Sequence, residues 1–136
     1  LLLTKPQLEF LAEVVPPALG NQKALGVPAS ITIAQAILES ATSRGWGTSI
    51  LFAPPINNPF GIKYAHVQGA QDYGEFDAPT WEILHGQKRE LVDHFQKFPN
   101  LLEAFTRHAL LLRRWTCVEA ALADGAAAVA NALGPW

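Results

Sequence analysis

Apolar residues first recur along this chain at helical spacing. Thr4-Lys5-Pro6-Gln7 reads as a helix start: a threonine cap, proline in the first turn, and glutamine placed to satisfy the end amides reciprocally. Leu8, Leu11, Val14 and Val15 form the stripe behind it. Pro16-Pro17 predicts a break or kink, and Gly20 to Pro28 reads as a connection. A second helix is predicted with Ser30 as its cap. Ile33, Ala34, Ile37, Leu38 and Ala41 make its buried face, and at about 100° per residue Glu39 points nearly opposite. Thr32, Ala36 and Ser43 around it are small, leaving an uncluttered strip where a bulky ligand can approach.

The pattern then changes. From Gly45 to Gly61 glycine, proline and asparagine are dense, ending in Asn57-Asn58-Pro59-Phe60-Gly61, and the stretch is predicted to be loop. Ile62 to Val67 and Thr80 to Leu84 are short β-prone runs, His85-Gly86-Gln87 is a turn signal, and a returning strand fits Arg89 to Phe95. Gln68 to Pro79 between them is polar and acidic, predicting a loop. Asn100 with Glu103 caps a helix through Leu112, with Leu101, Leu102, Phe105, Ala109 and Leu112 inward. Thr116 with Glu119 marks a helix over Cys117 to Ala123, and Asp124 caps an alanine-rich segment ending at Gly134. The sum is an α+β plan: a mainly helical body with a small β-hairpin lobe inserted in the middle.

Composition narrows the functions. A length of 136 residues, 49% hydrophobic and 16% charged, fits one folded domain over residues 1–136. The formal charge of -2, with lysine and arginine scattered apart from Lys88-Arg89 and Arg113-Arg114, argues against a nucleic-acid partner. No apolar run approaches the roughly 18 residues of a membrane span. Cys117 is alone, and His66, His85, His94 and His108 show no metal-ligand spacing, so neither an internal disulfide, a metal nor a cofactor is expected. The start at Leu1-Leu2-Leu3 without methionine reads as a processed or trimmed chain, any export signal already removed.

Five blocks in order carry a resemblance: "SITIAQAILES", "GWGTS", "NNPFGIK", "TWEILHG" and "FQKFPNLLEAF". Together, from about Thr4 to Leu133, they resemble the glucosaminidase domain of glycoside hydrolase family seventy-three, which includes bacterial autolysins and the flagellar muramidase. The resemblance implies a lysozyme-like fold whose groove cleaves the β-1,4 glycan of peptidoglycan at the N-acetylglucosaminyl linkage. It also implies a monomer that is secreted, periplasmic or cell-wall associated. Carried over by position, Glu39 matches the catalytic acid and Glu82 the second acid. Three departures stand out: four extra residues, Ala41 to Arg44, precede Gly45-Trp46-Gly47, Pro59 replaces a common leucine, and a tyrosine-bearing segment of many relatives would lie past Trp136.

Glycosidic cleavage needs a proton donated to a poor leaving group while positive charge builds at the anomeric carbon. Small apolar neighbours, no lysine or arginine within a helical turn and a nearby tryptophan make Glu39 a shielded acid in this reading. Glu82 on the hairpin serves as base or cation stabiliser, with Glu75, Asp72 and Asp77 as competitors and cross-strand pairing to Lys88 or Arg89 as its alternative role. Substrate-binding candidates are Trp46, Asn58, Phe60, Tyr64 and Trp81. Each also has a structural reading: Trp46 plugging the core under a glycine turn, Asn58 holding its own corner, Tyr64 and Trp81 packing in the sheet. A lytic transglycosylase also places a glutamate before a serine, but no Gly-Leu-Met-Gln-like block occurs downstream. An N-acetylmuramidase and a non-catalytic wall-binding relative remain the other readings.

Overall fold

The first helix, α1 (Lys5–Leu25), runs unbroken through Pro16 and Pro17 in the computed structural model, which describes residues 2–66 and 68–134. Leu1, Val67 and Pro135-Trp136 lie outside the described residues, and with them the end of the expected first strand and the chain's last two positions. The capping box is present: the Gln7 amide donates to Thr4 Oγ1 and the Thr4 amide to Gln7 Oε1. The prolines do not break the helix. Each removes one i to i−4 bond, to the carbonyls of Ala12 and Glu13, both of them exposed residues. Phe10, Val14, Ala18 and Asn21 form one buried face on both sides of the prolines. Burying such apolar side chains yields about 1.5–3 kcal/mol each, against about 3 kcal/mol per interior proline. Leu8, expected in the stripe, is exposed.

A left-handed Gly26 (φ 75°) ends α1, its amide bonded to the Gln22 carbonyl. Helix α2 (Ala29–Ser40) follows with Pro28, not Ser30, at the cap position. Gln22 Oε1 accepts from the Ala29 amide at 2.8 Å and supplies the cap from the preceding helix. Its buried residues are Ala29, Thr32, Gln35, Ala36 and Ser40, while Ala34, Leu38 and Ala41 are exposed and Ile33 and Ile37 half-covered. The expected apolar face is therefore rotated. The reason is the helix's place between two clusters. Phe10, Val14, Ala18, Ala29, Ala36, Phe52, Phe60 and Phe105 pack on one side, with Ile33 and Ile37 against them; Val27, Ala109, Leu112, Val118 and Val129 pack on the other, with Ile31 against them. A helix gripped from two sides buries small residues at its closest approach.

The hairpin is longer than the sequence suggests: β1 (Glu75–Leu84) pairs antiparallel with β2 (Gln87–Gln96) around His85-Gly86, both at positive φ. Glu75 to Pro79 is strand rather than loop, with Phe76 and Ala78 inward between exposed Glu75, Asp77 and Pro79. Ile62 to His66 contributes no full strand; it lies along β2 through single contacts, the Tyr64 amide to the His94 carbonyl and the Gln96 amide to the Ile62 carbonyl. The hairpin tip projects from the body, its residues largely exposed.

Helix α3 (Leu101–Arg113) starts as expected, Asn100 Oδ1 accepting from the Glu103 amide. It buries Ala104, Phe105, His108, Ala109 and Leu112, whereas Leu102 is exposed. Helix α4 (Thr116–Ala121) begins at Thr116, with Trp115 in the cap position, and Glu119 is paired with Arg113 instead of serving a cap. The Thr116 and Cys117 side chains lie outside the described part. A 3-10 turn (Leu122–Asp124) leads to α5 (Ala126–Leu133), capped by Gly125 rather than Asp124. Helices α1, α2 and α3 make the body and α4 and α5 close it from the α2–α3 side.

Candidate active site

Glu39 sits in the last turn of α2, where it lines a pocket of about 240 Å³. Gln35, one helical turn earlier, and His108 of α3 lie beside it, and Phe60 closes the loop side. Leu111, Leu112, Trp115 and Leu133 supply the rest of the wall, so the lining is mostly apolar around one carboxyl. Glu39 is exposed, not shielded as its neighbours in sequence suggest, and among the described residues no ion pair holds it. Arg44, nearby in sequence, instead donates to the Thr48 carbonyl at 2.8 Å.

Packed rings form the floor of the pocket. His108 stacks on Phe60 with ring centroids 3.9 Å apart, and Phe60 meets Phe105 edge-on at 4.8 Å. Burial without a partner pushes the His108 imidazole down to about 4, so it is neutral at ordinary pH. Its Nδ1 and the Oε1 of Gln35 are both buried without a hydrogen-bond partner among the described residues.

Of the residues singled out from sequence, the structure brings Glu39 and Phe60 to this pocket. Trp46 is half-buried against Phe10 (6.2 Å, edge-on) beneath the Gly45–Gly47 bend. A Cβ on Gly47 would meet Phe10 at 2.5 Å, and its φ of 65° also demands glycine. Asn58 is buried: its Nδ2 donates to the Ile62 and Gln96 carbonyls and its Oδ1 accepts from the Ile62 amide, tying the loop to the hairpin root. Tyr64 donates its hydroxyl to Asp72 at 2.6 Å, which holds that carboxyl below the usual range and raises the phenol.

On the hairpin, register separates two candidates. Glu82 stands opposite Arg89 and Trp81 opposite Glu90, so they occupy opposite faces of the ribbon. Lys88 Nζ lies 4.7 Å from the Trp81 ring centre. Glu82 has no ion-pair partner among the described residues, including the expected Lys88 and Arg89. Its competitors are occupied: Asp72 by Tyr64, Asp77 by His94 at 2.6 Å, and Glu75 at 3.8 Å from the same imidazole. Asp77, then Glu75, raise the His94 imidazole above its ordinary value. Glu75, Asp77 and His94 bring three possible metal-ligand atoms within 4.8 Å of one another, a grouping that sequence separation hid. The imidazole is already engaged by Asp77, and the trio reads as an ion-pair cluster.

Sequence reasoning passed over Gln35, His108 and Trp115. Gln35 was signalled only by its i−4 spacing to Glu39; Trp115 was signalled by an aromatic left between two helices, and half its surface is open.

Comparison with known proteins places this geometry. The family described as mannosyl-glycoprotein endo-beta-N-acetylglucosaminidase, the glucosaminidase family, matches residues 15–133. An autolysin of Enterococcus faecalis is 36% identical over 110 residues, covering 81% of this chain but only 14% of that protein. The catalytic domain of the autolysin Auto from Listeria monocytogenes superposes with a TM-score of 0.77 at 26% identity, covering 98% of this chain and 75% of the other. A peptidoglycan hydrolase mutant from Sphingomonas sp. A1 gives 0.69 at 29% identity, covering 92% and 79%. The fold is thus that of the lysozyme-like glucosaminidase domains, and the chain belongs to the glucosaminidase family.

Proposed function

We propose that this chain is the catalytic domain of a bacterial peptidoglycan hydrolase, an endo-β-N-acetylglucosaminidase acting on the β-1,4 glycan backbone. One observation carries the reading: in a glucosaminidase-family chain, the carboxyl of Glu39 stands without an ion-pair partner among the described residues at the edge of a mainly apolar pocket. A sugar seated there brings its glycosidic oxygen up to that carboxyl. Glu39 then delivers its proton to the bridging oxygen as the bond to the anomeric carbon lengthens. Trp115, open at the pocket wall, offers an apolar face to a pyranose ring. Glu82 acts as base for the incoming water or as stabiliser of the cation. Its support is that it has no ion-pair partner among the described residues while Asp72, Asp77 and Glu75 are engaged. Such a domain works as a monomer on glycan strands at the cell wall, outside the cytoplasm.

Mass analysis of products from purified peptidoglycan tests the reading. Reducing N-acetylglucosamine ends are expected; reducing muramic ends would indicate a muramidase and anhydro ends a transglycosylase. Glu39→Gln should lower turnover by about 10²–10⁴-fold with the fold intact. Wild-type turnover in that variant refutes the assignment. Glu82→Gln should cost less if the substrate's own acetamido group assists.

A further inference from the structure

The two acids of the proposed mechanism are held in different ways. Glu39 takes its place from α2, whereas Glu82 stands on a two-stranded ribbon, a unit of marginal stability by itself. The ribbon is tied to the body at its root. The Tyr64 amide donates to the His94 carbonyl at 2.8 Å, the Gln96 amide to the Ile62 carbonyl at 2.9 Å, and Asn58 Nδ2 to the Gln96 carbonyl at 2.9 Å. His94 stands opposite Asp77, so Glu82 lies about 17 Å along β1 beyond the outermost of these ties.

One further tie reaches higher. Lys63 Nζ pairs with Asp93 Oδ2, and Thr80 Oγ1 donates to the same oxygen at 3.1 Å. Asp93 stands opposite Ala78, and Ala78, Thr80 and Glu82 alternate along β1, so Asp93, Thr80 and Glu82 share one face of the ribbon. Lys63 Nζ also lies 4.5 Å from the ring centre of Phe95 on that face. The body end of the tie is equally anchored. Asn58 holds Ile62 through two hydrogen bonds, and Phe60 of the same corner lines the Glu39 pocket. A path therefore runs from the wall of that pocket through Lys63, Asp93 and Thr80 to the strand face that carries Glu82. We propose that the Lys63–Asp93 pair, with Thr80 on the same carboxylate, is a positioning element that sets where Glu82 stands, a proposal that rests on reading Glu82 as the second acid.

The lengths show what the pair does. With the root ties alone, a tilt of about 5° swings Glu82 by roughly 1.5 Å. Pinned at Thr80, the free arm is about 7 Å and the same tilt moves it about 0.6 Å. A misplacement of about 1 Å can cost a hundredfold in rate. Stability gains little, because the Lys63 and Asp93 side chains are 58% and 33% exposed and exposed ion pairs contribute weakly. Lys63, then Thr80, hold the Asp93 carboxyl below its usual range, so the tie persists in mild acid.

The test measures turnover of purified peptidoglycan by the chain carrying Lys63→Met, which keeps an apolar stem over Phe95 and removes the charge. Its kcat should fall about tenfold, less than in Glu82→Gln, with KM within about twofold and the melting temperature within about 5 °C. Lys63→Arg should recover turnover to within about threefold of wild type, since a contact to one oxygen does not demand lysine. In a Glu82→Gln background Lys63→Met should cost less than about twofold more, because the pair acts through that carboxylate. Backbone NMR order parameters at Thr80 and Glu82 should fall in Lys63→Met while those at His94 and Gln96 hold. Wild-type kcat in Lys63→Met, or a loss that adds in full to that of Glu82→Gln, overturns the proposal. So does a variant that melts far lower or does not fold, which would make the pair a structural tie. If the wild type releases no reducing ends, the hydrolase reading falls and the order parameters alone decide whether the pair holds Glu82. Turnover with a Lys63→Met hairpin as rigid as the wild type's overturns the positioning role and leaves hydrolysis standing.

Discussion

Acid should destabilise this protein through His108, and replacing that residue with phenylalanine should remove the effect. In the native chain burial holds the imidazole near 4; in the unfolded chain it returns to about 6.5. Between those values the unfolded state binds a proton that the folded state refuses, so stability is complete above about pH 6.5 and falls as pH falls. The loss works out at about 1.4 kcal/mol at pH 5.5 and about 2.6 kcal/mol at pH 4.5. A chain of 136 residues has roughly 7–20 kcal/mol in all, so the larger figure is a substantial part of the total. Urea unfolding at pH 7.5, 5.5 and 4.5 reads it directly. With a slope of about 1–3 kcal/mol per molar, the wild-type midpoint should drop by roughly 1–2.5 M from this residue alone at pH 4.5. Carboxylates such as Asp72, Asp93 and Glu119, whose partners lower them, also weaken in acid. They do so equally in His108→Phe, and the difference between the two proteins isolates the histidine. If the variant loses as much stability as the wild type between pH 7.5 and 4.5, His108 is not a buried neutral group.

Gly47→Ala adds a Cβ 2.5 Å from Phe10 at a left-handed backbone position, so it should cost about 2–5 kcal/mol and lower the melting temperature by about 7–17 °C. Asn58→Ala strips partners from the Ile62 amide and the Gln96 carbonyl; about 2–4 kcal/mol should go, with hydrogen exchange accelerated at Gln96 and Tyr64. His94 runs opposite to His108: raised by Asp77, it favours folding below about pH 6.5, and that contribution fades as pH rises through its elevated value. An NMR titration should find its midpoint above about 6.5, falling back in Asp77→Asn.

What the sequence disclosed depended on how local the cause was. Thr4 and Asn100 cap their helices as their spacing says, because a cap involves only neighbours within one turn. The rotation of α2 was not legible, since its buried face is set by α1 on one side and α3 to α5 on the other; hydrophobicity alone favoured Ile33, Leu38 and Ala41 over Thr32 and Ser40. Helix α1 continues through Pro16 and Pro17 for the same reason: burial across the prolines outweighs a local penalty. The start of β1 was missed although Phe76 and Ala78 alternate with Glu75 and Asp77, because polar composition masked a period of two. At the pocket, Glu39 was singled out through its block and Phe60 through its corner. Gln35 and His108 were not, for a polar residue on an apolar face declares itself only when its partner is seen to be absent.

The residues Ala41 to Arg44, set apart in the family resemblance as an addition after Glu39-Ser40, lie in an excursion that leaves the last turn of α2 intact. The chain leaves α2 at Ser40 and returns at Ser49, whose amide donates to the Ser40 carbonyl at 2.9 Å. Between those points Thr42 and Gly45 exchange backbone bonds of 3.1 and 3.0 Å. The excursion is further pinned by Arg44 on the Thr48 carbonyl and by Thr48 Oγ1 on the Gly45 carbonyl at 2.7 Å. Doubling a short loop costs only about 0.6 kcal/mol in closure entropy, and these internal bonds offset it. Ser40 itself is buried and donates to the Ala36 carbonyl, so the last turn of α2 is anchored before the insertion begins. Glu39 therefore takes its position from the helix and the two clusters that grip it, and the loop after Ser40 is free to vary in length.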